Sequence, residues 1–385
     1  MIASSGQRSG FDLHDLLVVL ASACLVLDGI HFPGTPFPAS TVSAAFLIFL
    51  AYFKVPRGVK RPRWFVVWLI ALVAWLGLAS AMNSGLSAVD VKRFLNISLW
   101  AMVAVTVASG RLSWRRIGVG LALGVSFAVA WGVATIGSSS YVGRLTGVLG
   151  DPNSAGLIIL TLTCLAIPQL QSRRTQVVLS AVALVGIVAT LSRTTWLATA
   201  CVVVWLLAGK HISRWVGFAA VGGLVWWSTS IGDAVLATSQ FSDRSGSDAL
   251  RGRILASEQI LVGTNPLIGH GLGSAHVQVD GLTFFFHSSY MSLRQEGGWI
   301  ALVIYLILLI AMFFAVTSLP KQSRSGWAEA ALIGVAICAV NLGEVFLTVP
   351  AALALGFAAT QLGMRRLEMS PAPTRRAGQG RLRSA

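Results

Sequence analysis

The sequence predicts an all-α, polytopic membrane protein of about 12 transmembrane helices, with one large extracytoplasmic loop between spans 9 and 10. Three observations predict it. The 385 residues are 55% hydrophobic and only 11% charged, where a soluble domain carries about 25% charged residues. The apolar residues fall in runs that approach the roughly 17–25 residues a bilayer-crossing helix needs. Lysine and arginine follow every second run, the signature of cytoplasmic loops.

In chain order the spans are expected at about 16–30, 39–53, 64–81, 95–109, 117–136 and 154–170, then 177–191, 194–208, 215–231, 298–316, 328–347 and 351–364. The first is read as a retained helix, because no small-residue cleavage site follows it. Phe-Pro-Gly-Thr-Pro-Phe-Pro after span 1 is a rigid turn. Lys54, Arg57, Lys60, Arg61 and Arg63 follow span 2; Arg111, Arg115 and Arg116 follow span 4; Arg173 and Arg174 follow span 6. Lys210 and Arg214 follow span 8, and Lys321 and Arg324 follow span 10. With both termini cytoplasmic, all of these lie inside. The basic residues left for the outer face are Lys92, Arg93, Arg144, Arg193, Arg244, Arg251, Arg253 and Arg294. Residues 1–364 therefore form one helical domain, with 232–297 as its outer loop, and 365–385 form a basic cytoplasmic tail expected to be disordered.

The formal net charge of +15 suggests nucleic acid only in a soluble chain; here it belongs to membrane-anchoring loops, so no nucleic acid is expected as a partner. Cys24, Cys164, Cys201 and Cys338 each sit in an apolar run and read as packing residues. No metal or other cofactor is expected. The outer loop lacks a D-x-D pair, the ligand spacings of zinc or calcium sites, and a G-x-S-x-G elbow. Neither ATP nor nucleotide sugars are available on that face, so a substrate there must arrive already carried across the membrane, most simply on a lipid.

Several outer-face residues invite chemistry. Arg193, in Ser-Arg-Thr-Thr-Trp, joins two apolar runs with almost no loop; it either snorkels to the headgroups or faces a wet cavity. Arg144 precedes Gly147, Gly150 and Asp151-Pro152-Asn153, which reads as a helix cap and offers an anion the start of span 6. Arg251 and Arg253 open an amphipathic helical stretch, Ile-Leu-Ala-Ser-Glu-Gln-Ile-Leu-Val. Arginine's planar fork suits phosphate, so three arginine loops on one face suggest a diphosphate cradle. Asn-Pro-Leu-Ile-Gly-His-Gly-Leu-Gly, 265–273, follows no strand and is not a nucleotide fingerprint; its glycines permit sharp turns and close backbone approach, and His270 and His276 read as loop residues. His287 stands between Phe284-Phe285-Phe286 and Ser288-Ser289-Tyr290. Imidazole is the side chain suited to exchanging a proton near neutral pH.

Taken in order, Arg144-x-x-Gly147 with Pro152-Asn153, Ser192-Arg193-Thr194, an arginine before Asn265–Gly273, His287 and Glu296-x-Gly298 resemble the O-antigen ligase and O-antigen polymerase family. The resemblance spans about 144–310. It departs at Ser288, where many members carry asparagine. It implies about twelve spans and metal-independent, inverting transfer of a glycan from a polyprenyl-diphosphate carrier to a hydroxyl on a glycan, lipid or protein acceptor. The setting implied is the outer face of the bacterial cytoplasmic membrane, among its lipids. By position it points to His287, Arg193 and Arg251 or Arg253 as catalytic, with Arg144, Asn153, Tyr290 and Glu296 holding substrate. A polysaccharide polymerase of the same family is the nearest alternative. A lipid-linked glycan transporter is the other; it needs ionisable groups at mid-membrane, for which Glu344 in span 11 and Asp28 near a span end are the candidates.

Overall fold

The apolar runs fold as helices: α1 (Leu13–Cys24), α2 (Ala39–Tyr52), α3 (Arg63–Asn83), α4 (Ala88–Ala108), α5 (Trp114–Ala134), α6 (Pro152–Ala166), α7 (Arg173–Ala189), α8 (Arg193–Ala208) and α9 (Arg214–Ser230). Beyond them lie α10 (Ser245–Thr264), a hairpin of β1 (His276–Val279) and β2 (Leu282–Phe285), α11 (Ser289–Thr317), α12 (Gly326–Cys338) and α13 (Val349–Glu368). This computed structural model describes residues 12–35, 37–56, 61–83, 87–138, 141, 143–230 and 245–368. Arg244, part of the expected outer loop and most of the expected basic tail lie outside the described residues. Among the described residues, α3, α4, α5, α11 and α6 with its short C-terminal extension are long and apolar enough to cross a membrane; α1, α2, α8, α12 and α13 are shorter apolar helices.

Helix α6 is the centre of the bundle. Every residue from Ala155 to Ala166 is buried, as expected of a helix apolar all round, and it packs on α5, α7, α12 and α13. Helices α1 and α5 approach closely because Gly120 and Gly124 lie one turn apart on α5; a Cβ on either would stand 2.3 Å from Val19 O or 2.4 Å from Ala23 O. Small residues four apart are a standard device for close helix packing in membranes. Around this centre α4 packs on α13, α8 on α12, and α3 on α11.

Helix termini gather at two poles. One is basic: Lys54 pairs with Asp12, Arg116 with Asp15, Arg111 reaches Ala51 O, and Arg324 pairs with the fully buried Glu329, which also accepts from Trp205 Nε1 at 2.8 Å. The other pole gathers the starts of α4, α6, α8 and α11 and the ends of α3, α7 and α12.

Several boundaries differ from expectation: α1 stops at Cys24 rather than 30 and α7 starts at Arg173 rather than 177, and four others bear on the site or the domain. Helix α4 starts at Ala88, not 95, because Ser87 and Asp90 form a capping box, so Lys92 and Arg93 are helical rather than loop. Helix α11 starts at Ser289, nine residues before the expected span, and bends at Gly298, whose φ of 66° is non-helical. Helix α12 stops at Cys338, not 347; Glu344 therefore lies outside any helix. Helix α13 runs on to Glu368, past the expected end of the helical domain. The hairpin is also an addition to the all-α expectation. Asp280-Gly281 is a two-residue turn with both φ positive (54° and 78°), the preferred type I′ geometry for joining twisted strands.

Candidate active site

The second pole is built from chain breaks that satisfy one another. The bend at Gly298 frees carbonyls that the helix would otherwise use. Gln295 O accepts from His270 N (2.7 Å), Glu296 O from Gly271 N (3.1 Å), and Gly297 O from Trp75 Nε1 (2.7 Å), while Trp299 N donates to Pro266 O (2.8 Å). The 265–273 loop is thus docked into the break in α11. Glycine is required on both sides: a Cβ on Gly298 would lie 2.0 Å from Leu267 O, and one on Gly269 (φ +82°) would lie 2.5 Å from Gly298 N. An interrupted helix is tolerated at membrane depth only when neighbouring groups re-satisfy its backbone in this way.

Residues 339–345, after α12, are the second break and the hub of the site. Ser289 N donates to Ala339 O (2.9 Å), Ser289 Oγ donates to Leu342 O, and Val345 N donates to Ser289 Oγ (3.0 Å). Gly343 lies so close to β2's exit that a Cβ there would collide with Phe286 O. From the same stretch, Asn341 Nδ2 donates to Thr194 Oγ1 (3.1 Å). One irregular segment therefore carries both the start of α8, where Arg193 is the first residue, and the chain around His287.

Arg193 is half-buried and already engaged. Beside it, Arg144 Nε donates to Thr190 O (2.9 Å) and Arg144 Nη2 to Asn153 Oδ1 (3.4 Å), so Arg144 and Asn153 meet at the α7–α8 turn. Asp151 caps α6 by accepting from Asn153 N (2.9 Å) and Ser154 N (3.1 Å), with proline at the first helical position as the sequence suggests. Nearby, burial first, and the Asp151 carboxylate second, push the Tyr141 phenol up, with Arg144 pulling the other way.

His287 follows the hairpin. Val277, Val279 and Phe286 pack on Ile254 and Val262 of α10. Within that apolar cluster Glu258 is fully buried, and its Oε1 accepts from His287 N (2.8 Å) and stands 3.6 Å from His287 Nδ1. The His287 side chain remains 38% exposed. Of the three phenylalanines before it, Phe286 is buried and Phe285 is exposed. Tyr290 OH donates to Ala336 O (2.9 Å), tying α11 to α12.

Glu296 is buried, and its Oε1 accepts from Arg93 Nε (3.2 Å) and Gly273 N (3.0 Å). Arg93 Nη1 also lies 3.1 Å from Glu344 Oε2. Glu344, expected inside span 11, instead sits at this pole with its side chain about half exposed; Asp28, just past α1, accepts from Ser40 Oγ (2.6 Å). Arg253 lies apart: it pairs with Asp280 at the exposed hairpin turn (2.8 Å). Arg251 lies on α10 about two turns before Glu258. His270 Nε2 is 2.8 Å from Thr264 Oγ1 and His276 Nδ1 is 3.0 Å from Gly273 O, both local contacts.

Sequence reasoning missed Arg93 and Glu258. Glu258 was detectable, since it stands four residues from both Ile254 and Val262, on the apolar face of the helix. Arg93 follows the Ser87-x-x-Asp90 capping signature, which places it in the helix.

Compared with known families, residues 178–306 match the model described as O-antigen ligase. The match runs from α7 into α11. It contains Arg193, Arg251, Arg253, His287, Tyr290 and Glu296, whereas Arg144 and Asn153 precede it. No curated protein matches the chain.

Proposed function

We propose that this chain, which carries an O-antigen ligase domain over residues 178–306, transfers a glycan from a polyprenyl-diphosphate carrier to an acceptor hydroxyl at the outer face of the bacterial cytoplasmic membrane. In this reading the chain spans the membrane twelve times with both termini inside. The basic pole faces the cytoplasm, in keeping with the positive-inside rule. The pole of chain breaks faces outward.

The observation that carries the proposal is the 339–345 hub, which holds the Arg193 helix start and the His287 segment on one irregular stretch. Arg193 would grip the diphosphate, assisted by Arg144 and a loop arginine, and stabilise charge on the leaving group. His287 would take the proton from the acceptor hydroxyl. The acceptor oxygen then bonds to the anomeric carbon from the face opposite the carrier, inverting it. The bond from that carbon to the diphosphate oxygen breaks, and the carrier diphosphate departs with the electron pair. Asn153, Tyr290 and Glu296 hold the surrounding backbone and the substrate-facing loops.

The test is purified protein in detergent supplied with a polyprenyl-diphosphate-linked glycan and candidate hydroxyl acceptors. Acceptor-dependent release of carrier diphosphate with a new glycosidic bond is expected. The His287→Ala protein should insert and fold yet lose about 10²–10⁴-fold in rate. Unchanged transfer by that variant would remove His287 from the reaction, and movement of intact donor across vesicles without release would mark a transporter.

A further inference from the structure

The Glu258 carboxyl is in an unusual position. It is fully buried in the apolar cluster between α10 and the hairpin, where a polar group is costly unless fully hydrogen-bonded. Yet only one of its oxygens is used. Oε1 accepts from His287 N, while Oε2 is buried without a partner. The adjacent His287 Nδ1 is likewise buried and without a partner, 3.6 Å from Oε1. The exposed part of the His287 ring is therefore its other edge, which carries Nε2. Anchoring the backbone N–H alone would need only a neutral amide or hydroxyl. Buried polar atoms left unsatisfied call for an explanation, and contacts that tighten only once substrate is bound are common in free enzymes.

We infer that Glu258 is the positioning residue of His287, a carboxylate that keeps the proton on Nδ1 so that the Nε2 lone pair faces the acceptor hydroxyl. This rests on the reading of His287 as the general base. Only a small shift would close 3.6 Å to a hydrogen bond. The backbone bond from His287 N already fixes the carboxylate beside the ring, so little reorganisation is required.

Glu258→Gln tests it with little change of volume. Because Oε1 both accepts from His287 N and faces Nδ1, the amide oxygen takes that place and the amide nitrogen the place of Oε2; the backbone bond stays, and the negative charge that holds the proton on Nδ1 is lost. The expected result is a fall in kcat of about tenfold or more, since a neutral acceptor orients the ring and supports the imidazolium less well than a carboxylate. KM for the donor and the thermal unfolding midpoint should hardly move. Nitrogen chemical shifts of labelled His287, read without turnover, should show the proton held on Nδ1 in the parent and divided between Nδ1 and Nε2 in the variant. Adding Glu258→Gln to His287→Ala should remove no further activity. Unchanged kcat with an unchanged tautomer would overturn the proposal, as would a midpoint loss large enough to account for the fall in rate. Should His287→Ala itself transfer normally, the general-base reading fails instead, and the tautomer measurement still decides whether Glu258 sets the ring.

Discussion

Replacing Arg93 by alanine should be among the most destabilising single changes at the pole of chain breaks. Its guanidinium lies between Glu296, whose side chain is 4% exposed, and Glu344, at 53%; Arg93 itself is 18% exposed. The two pairs are unequal. The Glu344 contact is half in solvent and is worth about 0–1 kcal/mol. The Glu296 contact is desolvated, so removing Arg93 leaves a buried carboxylate with only the Gly273 N–H as donor. Breaking a buried pair from one side costs about 3–5 kcal/mol. Replacing both partners by apolar residues of similar size, Arg93→Met with Glu296→Leu, removes the unpaired charge; what remains is the orphaned Gly273 N–H, about 1–3 kcal/mol. The double variant should therefore be more stable than Arg93→Ala alone. Equilibrium unfolding in one detergent, followed by tryptophan fluorescence, measures the cycle. A loss under about 1 kcal/mol for Arg93→Ala, or a double variant less stable than that single, would refute the buried-pair argument.

Further outcomes follow from the same geometry. Arg193→Lys should reduce transfer by about 10²–10³-fold without unfolding the protein, since lysine lacks the planar fork; full activity measured by carrier release would leave Arg193 a headgroup anchor. Arg253→Ala breaks only an exposed pair with Asp280, so chemical denaturation should shift by about 1 kcal/mol or less. Arg251→Ala, on the helix that carries Glu258, should then be the loop variant with the greater loss of transfer in a side-by-side assay. Gly298→Ala forces alanine into φ +66° and its Cβ to 2.0 Å from Leu267 O. That backbone conformation, open essentially to glycine alone, costs another residue about 1–3 kcal/mol by itself, so a lower unfolding midpoint and faster proteolysis within 265–273 are expected.

The bundle was legible because lipid imposes strict demands. Apolar run length and alternating basic loops placed a helix at every expected span, and Asp151-Pro152 placed the start of α6 to within two residues. What escaped was set by local chemistry that hydropathy does not register. Ser87 and Asp90 extended the start of α4 over Lys92 and Arg93, although both are hydrophilic. Asp280-Gly281, flanked by alternating apolar residues, announced a hairpin that a search for helices passed over. Gly120 and Gly124 carried the close contact of α1 with α5 in a four-residue spacing. The end of α12 at Cys338 was legible only in Asn341 and Gly343, set in an otherwise apolar 339–347; the partners that hold the stretch, Ser289 and Phe286, are distant in sequence.

That last point bears on why the site lies where it does. A straight helix through 339–347 would satisfy its own backbone and leave Ser289, Asn341 and Glu344 with nothing to hold. Breaking it frees carbonyls and N–H groups, which lipid could not satisfy. They are satisfied instead by Ser289 and by the chain leading into α11, while Asn341 and Glu344 are turned toward Thr194 and Arg93. The break in α11 at Gly298 is met in the same way by 265–273. One bent helix and one that stops early thus supply a polar floor that continuous helices would lack, and the Arg193 helix start and the His287 segment adjoin it, while Arg253 lies apart. The proposed substrate, with a charged diphosphate and a lipid tail, would need this combination of polar protein groups above an apolar bundle. Restoring helical continuity, for example by replacing Asn341 and Gly343 together with alanine, should therefore abolish transfer even if the helices still insert; retained transfer by a properly inserted variant would show that the break is dispensable.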